Sequence, residues 1–172
     1  MKSIFFAVLI VFVTHTTFSQ GTELIYSSRL KTHGLSAEEV IRVADKNLAL
    51  RFKSGESSMR FVDNSTLVLD CTVPVTVIIG RSIIKDVYGY RLSVNIIDDL
   101  TCELRADEYT SRAGRTVSRE IADRVAEETK SKKKQQFYRE MNKQIYDYLE
   151  LNYQVSRSGL DLALTQAKKA RQ

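Results

Sequence analysis

The chain has 172 residues, 43% of them apolar and 27% charged, with a formal net charge of +5. A pI near 9.2 invites a nucleic-acid reading, but the export signal described next argues against it, and the positive charge gathers late, in Lys130, Lys132, Lys133, Lys134, Lys168, Lys169 and Arg171. About 150 residues remain after that signal, enough for one domain with its own core.

The N-terminus has the three parts of a cleavable signal peptide. Lys2 supplies a positive start, and Ile4 to Val13 is unbroken apolar sequence. Thr17 and Ser19 are small residues at the −3 and −1 positions of a cut before Gln20, so residues 1–19 are expected to be removed. The apolar run is too short to span a bilayer, which needs about 20 residues; the alternative is an uncleaved N-terminal anchor. No later segment is apolar enough to cross, so the mature chain is expected to be exported, periplasmic or secreted, and soluble.

Residues 22–33 read as a first strand, with Leu24, Tyr26 and Ser28 alternating against Ile25, Ser27 and Arg29. After Gly34, Ser36 and Glu39 form a capping box: the hydroxyl takes the Glu39 N–H and the carboxylate returns to the Ser36 N–H. Ala37, Ile41, Ala44, Leu48 and Phe52 give the helix one apolar face, and Gly55 ends it. From Met59 the period is two. Met59–Val62 is a short strand, Asp63-Asn64-Ser65 a turn, and Thr66–Ile79 a long strand with Leu67, Leu69, Cys71, Val73, Val75 and Val77 on one face. Pro74, lacking a donor, marks a bulge, a break or an edge. Gly80–Gly89 reads as a connection in which Ile83 and Ile84 cover something. Tyr90–Ile97 and Leu100–Tyr109 form a hairpin around Asp98-Asp99. Its apolar rows are Leu92, Val94, Ile96 and Leu100, Cys102, Leu104, Ala106, so the sheet has one buried and one wet face.

The rest is helical. Val117, Ile121 and Val125 begin an apolar stripe that Phe137, Met141, Ile145, Tyr148 and Leu149 continue. A helix from Val117 to Tyr153 would be roughly 55 Å long, against about 25–35 Å for the strands. It therefore overhangs the sheet or breaks near the lysines. Gly159 is expected to separate a last short helix, Leu160 to about Ala170.

These elements predict an α+β fold: a single antiparallel sheet in β-α-β-β-β-β-α order, helices packed on one face, and a long C-terminal helix. The segment Thr17-Phe18-Ser19-Gln20, the strand and capped helix from Leu24 to Phe52, and the hairpin Tyr88-Gly89-Tyr90-Arg91-Leu92-Ser93-Val94-Asn95-Ile96-Ile97-Asp98-Asp99 together resemble a known family. This is the domain of unknown function, found in exported proteins of Bacteroidetes-type bacteria, whose fold is like one half of the TATA-binding protein. The resemblance covers about Leu24 to Thr110. Family members commonly carry Asp-Gly-Arg in the hairpin turn, where this chain has Asp98-Asp99-Leu100. The family implies a fold and a compartment, and no catalytic residues; DNA binding does not carry over with the name of a fold. The expected organisation is a signal peptide at 1–19, an α+β domain at 22–112 and a helical extension at 115–172.

No motif carries recognisable catalytic chemistry, and no catalytic, cofactor-binding or metal-binding residue is assigned. His33 is the one histidine after the signal, and a metal site needs several converging ligands; it reads as a turn residue. The adjacent carboxylates Asp98-Asp99 and Asp107-Glu108 point to opposite faces of a strand and make no acid–base pair. In a plain meander Cys71 and Cys102 lie two strand spacings apart, about 9–10 Å, beyond the roughly 7 Å Cα limit of a disulfide. They are expected to be buried free thiols; a bond between them would mean that the meander is wrong.

The leading functional reading is a non-enzymatic binding or scaffolding module of the cell envelope, with a protein partner or a second copy of itself and no nucleic acid. Two surfaces are candidates. One is the wet sheet face, with Asp70, Thr72, Asn95, Glu103 and Arg105. The other is the helical stripe Phe137, Met141, Ile145, Tyr148 and Leu149, which packs either on a partner or on the chain's own sheet. The alternatives are an enzyme with a loop-built site near His33 and Gly80–Gly89, and an electrostatic binder of anionic lipid or polysaccharide through Lys130–Lys134.

Overall fold

A computed structural model describes residues 24–52, 58–111 and 119–171. The expected signal peptide, the Gly55 helix end and the start of the stripe at Val117 lie outside these residues. The elements are β1 (Tyr26–Lys31), α1 (Ala37–Phe52), β2 (Ser58–Asp63), β3 (Thr66–Ile79), β4 (Ser82–Ile96), β5 (Thr101–Ser111), α2 (Arg119–Glu128) and α3 (Lys132–Lys169). The strands form one antiparallel sheet in the order β1-β5-β4-β3-β2. The α+β class, the single antiparallel sheet, the helices packed against it and the long C-terminal helix are as expected; the pairing of β1 with β5 is added by the structure.

The chain begins α1 where Ser36 and Glu39 meet. Glu39 Oε2 accepts from both the Ser36 backbone N–H and the Ser36 hydroxyl, each at 2.8 Å. One half of the capping box is thus made, and the hydroxyl turns to the carboxylate rather than to the backbone. Val40, Ile41, Ala44 and Leu48 bury the inner face of α1, whereas Ala37 is exposed. Between β1 and α1, His33 and Gly34 both take positive φ, 58° and 78°, which reverses the chain in two residues.

The stretch expected as a connection, Gly80–Gly89, is instead the turn and first half of β4. Gly80, at φ 58°, and Arg81 form a two-residue turn, and Ile79 pairs with Ser82. Paired isoleucines at 78–79 and 83–84 blur the two-residue alternation there, and Gly89 inside the strand imitates a break. Among the described residues Pro74 lies beyond the pairing of β3 with β2, which ends at Asp70, and β3 runs through it paired to β4; of its three readings, the edge is the one these residues fit. Leu100 is not in an apolar row. It is 71% exposed in the Asp98–Leu100 turn, where Asp98 Oδ1 accepts the Leu100 and Thr101 N–H groups at 2.8 Å each.

The helical region breaks near the lysines. Gln135 Nε2 donates to the carbonyls of Thr129 (2.7 Å) and Glu127 (3.2 Å), satisfying the open end of α2. Then α3 runs 38 residues, roughly 57 Å, straight through Gly159. A Cβ at Gly159 would sit 3.5 Å from Asn47 Oδ1 of α1, so the glycine lies at the contact between the two helices and not at a helix end. Tyr146, Leu149, Tyr153, Leu160 and Leu164 of α3 belong to the same buried cluster as the sheet and α1. The helical segment expected as an extension thus shares one core with the sheet.

Four tyrosines fasten α3 to the sheet. Tyr90 stacks on Tyr109 with centroids 5.0 Å apart, Tyr109 meets Tyr26 edge-on at 5.9 Å, and Tyr26 stacks on Tyr153 at 5.4 Å. The Tyr153 hydroxyl donates to the Leu104 carbonyl (3.0 Å) and the Tyr90 hydroxyl to Asn152 Oδ1 (2.9 Å). Cys71 and Cys102 are both free and buried. They lie opposite Tyr90 and Ile96 of β4, on either side of that strand, as the meander requires.

Candidate functional site: the open sheet face

With the helices on the inner face, the outer face carries every second side chain of the strands. The register orders them in rows. Asp70, Arg91 and Asp107 lie side by side across β3, β4 and β5; one row on are Ser93, Arg105 and Ser27; the next holds Thr66, Asn95, Glu103 and Arg29. All five residues singled out from the sequence, Asp70, Thr72, Asn95, Glu103 and Arg105, therefore stand on one face of adjacent strands.

The sequence reading missed the centre of this face. Arg91 Nε lies 3.3 Å from Asp70 Oδ1, and Arg91 Nη1 lies 2.6 Å from Glu108 Oε1. Arg105 Nε reaches Asp107 Oδ2 at 2.6 Å, and Ser27 donates to Glu103 Oε1 at 2.6 Å. Glu108 takes part because β5 bulges: pairing shifts between Gly89 and Arg91, and Glu108 has φ 54°. The extra residue turns Tyr109 inward, where it is buried. Both Asp107 and Glu108 are thereby left bonded to arginines of the outer face. The expectation that these neighbours point to opposite faces fails for this reason.

Arg91 and Arg105 are each 40% exposed, so these pairs contribute only about 0–1 kcal/mol apiece to stability. Their effect is to hold charged groups at set positions. Acids and bases alternate in the first row and along β5, through Asp107, Arg105 and Glu103, and the face is a mosaic without a field of one sign.

The second candidate surface divides. Leu149 is fully buried in the chain's own core and offers nothing to a partner. Met141 and Ile145 are partly buried and pack against that core, Phe137 is half-buried, and Tyr148 is exposed. The outward stripe of α3 is Tyr148, Leu151, Val155 and Leu162, turned to the side opposite Leu149 and Leu160. Leu151, Val155 and Leu162 were not in the sequence reading, which followed the apolar spacing onto the core side.

The loop-built alternative does not assemble. His33 Nε2 lies 3.3 Å from Thr165 Oγ1 near the end of α3, whereas Ile78, beside the Gly80 turn, is bonded to Gln144 near its start. Twenty-one helical residues, roughly 30 Å, separate those contacts. Burial pushes the thiol of Cys71 up to about 12 and that of Cys102 to about 11, so neither is a nucleophile at neutral pH. Among the described residues, no group of three or more His, Cys, Asp or Glu could hold a metal ion, and no helix is long and apolar enough to cross a membrane.

No family model and no curated protein matches the sequence. Two solved structures are similar in fold. A DUF4468 family protein from Bacteroides ovatus superposes with TM-score 0.58 at 14% identity, over 83% of this chain and 86% of its own. A TBP-like protein from Parabacteroides distasonis gives TM-score 0.53 at 11% identity, over 80% of this chain and 92% of its own. At such identity the likeness is one of fold, and the chain has the TATA-binding-protein-like α+β fold that its hairpin and capped helix resemble.

Proposed function

We propose that the chain is a non-enzymatic binding module of the cell envelope that engages a protein partner, or a second copy of itself, through its open sheet face. The observation that carries this reading is the Asp70–Arg91–Glu108 bridge beside Arg105–Asp107, on a face that no described helix covers. A rigid sheet that displays fixed, alternating charges suits the polar contacts of a protein surface, where complementary charges set register and specificity. It suits a phosphate backbone poorly, since Asp70, Glu103, Asp107 and Glu108 are interleaved with the arginines. Export rests on the signal-like residues 1–19, and its test is the N-terminus of the processed protein, expected at Gln20.

The reading is tested by reversing the centre of the face. Arg91→Glu should leave folding intact and lower partner capture at least tenfold; unchanged capture would remove the sheet face as the site.

A further inference from the structure

We propose that the tip of the β3–β4 hairpin is a membrane-docking element that inserts isoleucines into an anionic lipid surface. This surface is separate from the sheet face described above.

Pairing to β2 ends at Asp70 and pairing to β5 ends at Tyr88. Among the described residues β3 and β4 then continue as a two-stranded ribbon to the Gly80–Arg81 turn. On its inner side Val73, Val75 and Val77 are buried. On its outer side Ile78 and Ile83 stand directly opposite each other, 58% and 64% exposed. Such a pair at the end of a projecting ribbon is unlike an isolated surface isoleucine, which needs no explanation.

Within the hairpin tip the charge is of one sign. From Cys71 to Lys85 the chain has no acidic residue, and it carries Arg81 at the turn and Lys85 one step behind Ile83, both exposed. The ribbon is also held in place. The Gln144 side chain of α3 accepts from the Ile78 N–H (3.1 Å) and donates to the Ile78 carbonyl (3.0 Å). Those bonds occupy the β3 edge at Ile78, and Pro74 further back on the same strand lacks a donor, so the β3 edge is a poor template for strand addition. Aliphatic side chains that point outward and are flanked by cations fit the boundary between lipid headgroups and acyl chains. Beside Gln144 the exposed Lys143 is offset by Glu140 and Asp147, one turn either side. The attraction to lipid is therefore assigned to Arg81 and Lys85 at the tip itself.

The test is flotation of the purified exported protein with vesicles of phosphatidylcholine alone, or of equal parts phosphatidylcholine and phosphatidylglycerol. The protein should float with the mixed vesicles and stay behind with the neutral ones. Removing two exposed isoleucines together, as Ile78→Ser with Ile83→Ser, should lower partitioning at least tenfold. Arg81→Ala and Lys85→Ala should each lower it about fivefold. A circular dichroism melt of each variant that matches the parent separates loss of binding from loss of fold. No flotation with mixed vesicles, or equal flotation of parent and double-isoleucine variant, would overturn the proposal. So would a change of mass in lipid-free light scattering on Ile78→Ser with Ile83→Ser, because the tip would then be a contact between copies.

Discussion

Arg91 Nη1 lies 2.6 Å from Glu108 Oε1 across the bulge in β5, and its Nε lies 3.3 Å from Asp70 on the opposite neighbouring strand. One guanidinium thus joins three strands on the open face. The bulge makes this arrangement: in a regular ladder Glu108 would point into the core and Tyr109 out of it. Replacing Arg91 with Glu should change stability by under about 1 kcal/mol, because exposed pairs contribute little, while partner capture falls. Parallel urea titration and capture assays would separate the two effects, and a large stability loss would mean that the bridge is structural.

Leu149 and Leu151 are two residues apart on α3 and should behave oppositely. Leu149 is fully buried and Leu151 is 60% exposed. Leu149→Ala should destabilise by about 2–5 kcal/mol through the lost burial and the cavity left. Leu151→Ser should shift stability by about 0.5 kcal/mol or less. Chemical denaturation of both variants decides whether the helix is correctly phased against the sheet.

Gly159 is a mid-helix glycine, and a Cβ there would make only ordinary van der Waals contact with Asn47 Oδ1, at 3.5 Å. Alanine should therefore stabilise the protein by roughly 0.5–1 kcal/mol, the usual gain at an unstrained helical position. A lower melting temperature for Gly159→Ala would indicate that α1 and α3 pack more tightly than this distance allows.

The buried thiols and tyrosines give a pH dependence. Burial raises Cys71 from 9.0 to about 12 and Cys102 from 9.0 to about 11, and it raises Tyr90 and Tyr109 as well. Each group holds its proton more tightly in the native state. The stability this represents is complete below about pH 9 and is lost as the pH rises towards 11–12 through the native values. Unfolding free energies measured from pH 7 to 11 should fall on the alkaline limb. Both thiols should resist alkylation in the native protein at pH 8 and react once it is unfolded.

The periodicities made the strands, α1 and the buried faces legible. Leu67 to Val77 alternate without exception, and Ser36 with Glu39 marks a helix start. Three features were hidden for physical reasons. The bulge at Glu108 depends on a positive φ that no glycine announces. The first half of β4 was lost because Ile78, Ile79, Ile83 and Ile84 make both faces of the ribbon apolar. The continuity of α3 is hidden because a lone glycine reads locally as a stop, whereas Gly159 sits in unstrained helix facing α1. The candidate site was half legible. Its polar rows follow from alternation, but Arg91 becomes its centre only through the bulge and the three-strand register.

The central claim, that the open sheet face binds a protein, is tested most directly by photo-crosslinking in living cells. A photoreactive residue is placed at Asn95 on that face, and as a control at Lys46 on α1. The account predicts one defined adduct from position 95, absent from position 46 and lost when Arg91→Glu is added. No adduct from position 95, or one that survives Arg91→Glu unchanged, would contradict it.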